Sequence, residues 1–311
     1  NQLTSLDVTS NTALTNLSCY NNSLTSLDVS ANTALTQLNA GWNQLTSLDV
    51  SANTALTGIH IGGGSQSQIT TLDISNNTAL TYLNTQDILT LTSLDVSANT
   101  ALIYLMVNNC ALTSLDVSNN TALINLNCSQ NELTTIDLSS NTALVELYLE
   151  SNQLTVIDVS NNTNLTSLGL NYNDLTSLNV SNNVNLDRLD CQSNELTSLD
   201  VSSNIALTYL ECNNNSLTSL DVSNNTALTV LFCQGNLLTT LDLSANTALT
   251  QLNVGGNQLT SFDVSNNTLL SDLKCANLDL TSLDVSNNTA LTVLFCQGNL
   301  LTSLDVSSNP A

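Results

Sequence analysis

The sequence predicts a solenoid of short parallel strands and tight turns, mostly β with little or no α-helix. Two observations predict it. Leu3, Leu24, Leu45, Ile69, Leu91, Leu112, Leu133, Leu154, Leu175, Leu196, Leu217, Leu238, Leu259, Leu280 and Leu301 each open a unit, and twelve of the fourteen intervals between them are 21 residues. A period of this size marks stacked units that each rest on their neighbours. Each unit also divides into two halves of about ten residues, too short for an α-helix of ordinary length.

The first half, seen at 123–133 as LINLNCSQNEL, has the pattern LxxLxCxxNxL. The second, seen at 133–143 as LTTIDLSSNTA, has LxxLDVSxNxA. In both, apolar residues alternate and then meet an Asn-centred turn, which reads as a short strand and a bend. Length alone would suggest two domains. A solenoid grows by adding coils, so residues 1–311 are read as a single domain of about 14 coils. Both ends lie inside repeat-like sequence without a capping segment, so the chain is expected to be part of a longer protein.

These patterns resemble the conserved segment of leucine-rich repeats, LxxLxLxxN/CxL. The nested 21-residue form is similar to the bacterial IRREKO class, and the likeness covers essentially the whole chain. The resemblance implies a right-handed, curved leucine-rich-repeat solenoid with a parallel sheet on its concave side and short strands or 3₁₀ turns on the convex side. It also implies a secreted or cell-surface bacterial setting and a protein or carbohydrate ligand.

Within the repeat, Leu14 and Leu17, Leu35 and Leu38, and their equivalents are assigned to the interior. Asn11, Asn32, Asn53 and their successors form one turn ladder, and Asn22, Asn43, Asn131 and theirs a second. An amide can satisfy turn groups in its own and the neighbouring coil. Cys110 replaces Asn on the second ladder, and Ile88 and Leu278 break it, so local irregularity is expected at the last two. The insertion IGGGSQSQI at 61–69 reads as a projecting, tolerated loop.

Charge narrows the partners. Twenty-five acidic residues face two basic ones, giving a net charge of −23. No basic patch can be assembled for nucleic acid, so none is expected as a partner. No apolar run is long enough to cross a bilayer, so no membrane insertion is expected.

Three constellations could carry chemistry. Cys19, Cys128, Cys191, Cys212, Cys233, Cys275 and Cys296 share a position that elsewhere holds Ala40, Val107, Leu149 or Leu170, so free buried thiols are expected. Asp stands at one position in fourteen of fifteen units, Asp95, Asp116, Asp137 and Asp158 among them, with Asn179 the exception. Carboxylates one strand spacing apart repel by about 0.9 kcal/mol in water. Relief is expected from turn amides or from hydroxyls such as those of Thr4 and Ser5, and no cofactor is required. A second reading places Ca²⁺ between coils at those four aspartates. His60, the single histidine, has Asn39 and Asn84 as its neighbours by repeat logic, and no nucleophile–base set follows from it. Glu146 and Glu150 read as solvated surface. No enzyme is expected.

Variation between repeats points to the binding face. The second half hardly changes, whereas two outward rows of the first half vary strongly. One row holds Tyr82, Tyr104, Glu146, Arg188 and Tyr209; the other holds Met106, Tyr148, Asp190, Glu211, Phe232 and Phe295. By strand alternation both rows face the same side, and Tyr20, Trp42 and Tyr172 fall at its rim. Exposed aromatics beside carboxylates suit protein or carbohydrate recognition. A binding or adhesion module is therefore the first functional reading. A structural or cation-binding stalk using the Asp/Ser/Thr face is the second, and an ice-binding plane a remote third.

Overall fold

A computed structural model describes residues 1–63 and 66–309. Its contacts divide the chain into two units, Asn1–Leu154 and Thr155–Ala311, and each is taken by itself. The first carries β1 (Asn16–Ser18), β2 (Gln37–Asn39), β3 (Gly58–His60), β4 (Tyr82–Asn84), β5 (Tyr104–Met106), β6 (Asn125–Asn127) and β7 (Glu146–Tyr148). The second carries β8 (Ser167–Gly169), β9 (Arg188–Asp190), β10 (Tyr209–Glu211), β11 (Val230–Phe232), β12 (Gln251–Asn253), β13 (Asp272–Lys274) and β14 (Val293–Phe295). Within each unit every strand pairs in parallel with the next, and no described residue lies in a helix. Each unit is a parallel β-solenoid.

Register follows the period. Leu17 lies opposite Leu38, and Leu210 opposite Leu231. The 24-residue interval leaves this unchanged, with Ile59 opposite Leu83. The middle residue of nearly every strand is a buried Leu or Ile, flanked by two residues that face outward. On the Asp-bearing half the chain runs through consecutive turns, closed by bonds such as Asn225 N to Val222 O (2.9 Å) and Leu228 N to Asn225 O (3.1 Å).

The two Asn ladders work differently. Asn43 Nδ2 donates to the carbonyls of Cys19, Ala40 and Gly41 (3.0, 3.0 and 3.2 Å), and its Oδ1 accepts from Leu24 N (3.0 Å). On the other ladder Asn32 Nδ2 donates to Val8 O and Asn11 O (3.0 and 2.8 Å), while its buried Oδ1 has no partner. Where Cys110 replaces the amide, its Sγ faces Thr85 O at 3.3 Å, a weaker substitute. Leu278 is followed by a second left-handed residue, Asp279 (φ 57°), and Ile88 is preceded by Asp87 (φ 61°).

Most described residues of the insertion are packed, with Gln66 and Gln68 exposed. Ile61, Gly62, Gly63, Ser67 and Ile69 are buried, and Gly63 N donates to Gln86 O (2.7 Å). Only Gly64 and Ser65 of that segment lie outside the described residues.

Candidate functional site

The outward face of each sheet is built by alternation. On β10, Leu210 points into the core, so Tyr209 and Glu211 point away from it. In-register pairing then aligns Tyr209 with Arg188 and Val230, and Glu211 with Asp190 and Phe232.

This alignment gathers a cluster on the second unit. The Arg188 guanidinium lies 3.6 Å from the centroid of the Tyr209 ring, a cation–π contact. The Tyr209 hydroxyl donates to Glu211 Oε2 at 2.6 Å. Burial, together with that bond, pushes the Tyr209 phenol up to about 12. Phe232 meets the Tyr209 ring edge-on, with centroids 6.2 Å apart. Burial and then the Glu211 charge raise Asp190 to about 6, against opposing help from the Gln192 amide and Arg188. Further along, Lys274 pairs with Asp272 at 3.2 Å and sits 5.8 Å from the ring of Phe295, which is 50% exposed.

The first unit gathers a second patch. Tyr104, 42% exposed, lies between Tyr82 and Asn125, with Met106 between Asn84 and Asn127 on the same strands. Tyr148 follows on β7 opposite Asn127. Glu146 and Glu150 were expected as solvated acids, and the structure corrects this. Both are half-buried; Asn125 Nδ2 donates to Glu146 and the Ser129 hydroxyl to Glu150, each from the preceding coil.

Sequence reasoning recognised two outward rows, and the structure has three. Tyr20, Ser129, Glu150, Gln192, Asn213 and Gln234 follow the inward Cys position and face the same side. Pairing runs past the strand here, as in Asn214 N to Gln234 O (2.9 Å). The next residue is left-handed in nearly every coil, including Trp42 (φ 55°) and Tyr172 (φ 56°). The variability of the third row was the available signal.

The Asp ladder finds its relief in turn amides, as expected, and differs only in which hydroxyls stand beside it. Partners come not from positions such as Thr4 and Ser5 but from the residue two places on. Asp95 Oδ1 accepts from Ser97 N (2.8 Å), and Asp116, Asp137 and Asp158 accept in the same way from Ser118, Ser139 and Ser160 (2.9 Å each). Asp95, Asp116 and Asp158 are thereby held below the ordinary carboxylate range. For Asp116 these bonds outweigh the repulsion from Asp137 and Asp95. Among the described residues no group of three or more His, Cys, Asp or Glu comes together as a metal site.

The cysteines stack along the core as free thiols, all buried except the half-buried Cys296. Burial pushes Cys110 up to about 11, and Cys233 and Cys275 up to about 12. His60 sits on β3 opposite Asn39 and Asn84, and burial lowers its pKa. No helix among the described residues is long and apolar enough to cross a membrane.

Comparison with known proteins agrees with this geometry. The functional domain of InlJ from Listeria monocytogenes, described as including a cysteine ladder, superposes with a TM-score of 0.89 at 38% identity. The match covers 96% of this chain, which spans 66% of that one. A leucine-rich-repeat protein of Leptospira interrogans matches with a TM-score of 0.85 at 22% identity, over 96% of this chain and 88% of its own. The internalin InlF of Listeria monocytogenes matches at 0.80 and 24%, over 97% and 86%. The LVIVD repeat family matches residues 147–174. Curated proteins yield no match. The chain has the leucine-rich-repeat solenoid fold, and its structural neighbours include bacterial internalin and leucine-rich-repeat proteins.

Proposed function

We propose that this chain is a secreted or cell-surface binding module whose outward sheet faces take a polypeptide partner. In a leucine-rich-repeat solenoid these faces are the concave ones. The observation that carries the reading is the ordered cluster of Arg188, Tyr209, Glu211 and Phe232. Its side chains are held by one another before any partner arrives, which lowers the ordering cost of association. Tyr and Arg are also the types that concentrate binding energy. The patch of Tyr104, Met106, Glu146 and Tyr148 offers a second such surface on the first unit. The similarity to an internalin functional domain supports the same class of role.

The test is a displayed library of extracellular proteins screened against the whole chain. Selected binders should lose affinity about tenfold or more on Tyr209→Ala or Tyr104→Ala, with the thermal midpoint unchanged. Binders that hold both variants as tightly as the parent would overturn the assignment.

A further inference from the structure

Trp42, the chain's single tryptophan, is absent from the patches above and has an unusual seat. It occupies the left-handed turn position, where most coils place Asn, Ser or Gly, such as Asn21, Asn109, Ser151 or Gly235, and one other places the aromatic Tyr172. A bulky ring there carries a backbone cost that Asn or Gly would avoid. Its indole lies against the next coil: a Cβ built on Gly63 would fall 1.9 Å from Nε1 and 2.2 Å from Cδ1. One ring face thus rests on glycine backbone, yet the residue is 47% exposed, which leaves the other face to solvent.

Two more rings lie near Trp42. Tyr20, 44% exposed, stands 6.4 Å from Trp42 with planes at 60°. His60 lies 6.2 Å from Tyr20 at 72°, reaching over Gly41, where a Cβ would fall 2.8 Å from Cδ2. Glycines at 41 and 63 are therefore what let His60 and Trp42 lie flat. The rings meet edge to face, so the open flat surface is the outer face of Trp42, with Tyr20 and His60 standing beside it.

Charge selects the ligand. In a chain of net charge −23, none of the outward residues on β1 to β3 or in the third row beside them is ionic. They are amides, hydroxyls, rings and glycines, and burial lowers the His60 pKa, favouring the uncharged ring. Asn39 commits its Oδ1 to Gly41 N (3.3 Å) and keeps its Nδ2 hydrogens. A cationic ligand would be matched by carboxylates and an anionic one by Lys or Arg. A flat apolar ring face bordered by neutral amides matches the C–H face and equatorial hydroxyls of a sugar. We infer that Trp42, seated on Gly63, and the neighbouring Tyr20 form a subsite for a neutral carbohydrate. It is separate from the polypeptide-binding surfaces proposed above.

Trp42 emission reports the site directly. The probes are neutral trisaccharides of β-linked glucose, galactose and N-acetylglucosamine, with tetramethylammonium as a cationic control. At least one trisaccharide should give a saturable emission change and bind when immobilised. Trp42→Asn, which suits the left-handed turn, should weaken immobilised-sugar binding about tenfold or more. Trp42→Phe should restore part of it, and Tyr209→Ala should leave it intact, so the two readings fail independently. No response to any of the trisaccharides, a response to tetramethylammonium alone, or undiminished binding by Trp42→Asn would overturn the inference.

Discussion

Replacing Asn236 by Ala isolates what holds one coil to the next. Asn236 is buried; its Nδ2 donates to Cys212 O and Cys233 O at 3.0 Å each, and its Oδ1 accepts from Leu217 N at 3.0 Å. Alanine leaves the Leu217 N–H without a partner, while Cys212 O keeps Asn215 Nδ2 (3.1 Å) and Cys233 O keeps Asn257 Nδ2 (3.0 Å) as donors. A buried group left unpaired costs about 1–3 kcal/mol and each bond lost from a still-partnered carbonyl about 0.5–1.5 kcal/mol, which together set a range of about 2–6 kcal/mol. Relaxation of the turn toward water favours the lower half of that range. Asn225 provides the internal comparison. It donates to Val201 O and Asn204 O (3.0 and 2.8 Å), but its Oδ1 has no partner. Asn225→Ala orphans nothing, because Val201 O keeps Asn204 N (3.0 Å) and Asn204 O keeps Leu207 N (3.1 Å); two lost bonds come to about 1–3 kcal/mol, so it should cost less. Urea unfolding followed by circular dichroism measures both. Hydrogen exchange at the Leu217 amide, freed by Asn236→Ala alone, should accelerate. An Asn236→Ala variant that is less destabilised than Asn225→Ala, or that keeps Leu217 protected, would refute the reasoning.

Two further predictions follow from burial. A water-soluble thiol reagent should titrate Cys296 in the native protein and all eight cysteines after unfolding; rapid native reaction of three or more would contradict the packed row. Asp190 has a folded pKa of about 6 against an unfolded value near 3.9. Between those values the native state holds more protons, so this group's contribution to stability falls as pH rises through that window. Asp190→Asn should therefore gain thermal stability relative to the parent at pH 7 but not at pH 4, and equal offsets at both would refute the assignment.

Much of the frame was legible because it is written many times. A position that exchanges Cys for Ala, Val and Leu announces an inward site, and Cys191, Cys212 and Cys233 are all fully buried. The turn amides that relieve the Asp row were anticipated, but the hydroxyls were misassigned although the signal was present: Ser or Thr follows each ladder Asp by two residues, as in Asp7–Thr9 and Asp28–Ser30. A carboxylate so placed bonds its own turn before it can reach Thr4 or Ser5. Glu146 and Glu150 were harder, since their donors Asn125 and Ser129 stand 21 residues earlier. That contact exists only once register is exact. The seat of Trp42 was not legible, because it depends on where the inserted residues lay the Gly63 backbone.

In-register pairing has a consequence for how such a protein acquires new ligands. Strands one spacing apart, with side chains repeating along each, make the outward face a rectangular mosaic, roughly 4.8 Å by 7 Å per tile. Arg188, Tyr209 and Val230 are adjacent tiles of one row, and their carriers hang from identical Leu, Cys and Asn frames. One substitution repaints one tile and leaves the grout untouched. Whole panels can be copied too, as the identical stretches 218–239 and 281–302 record. Such a surface can be rewritten square by square while the backbone beneath it stays the same.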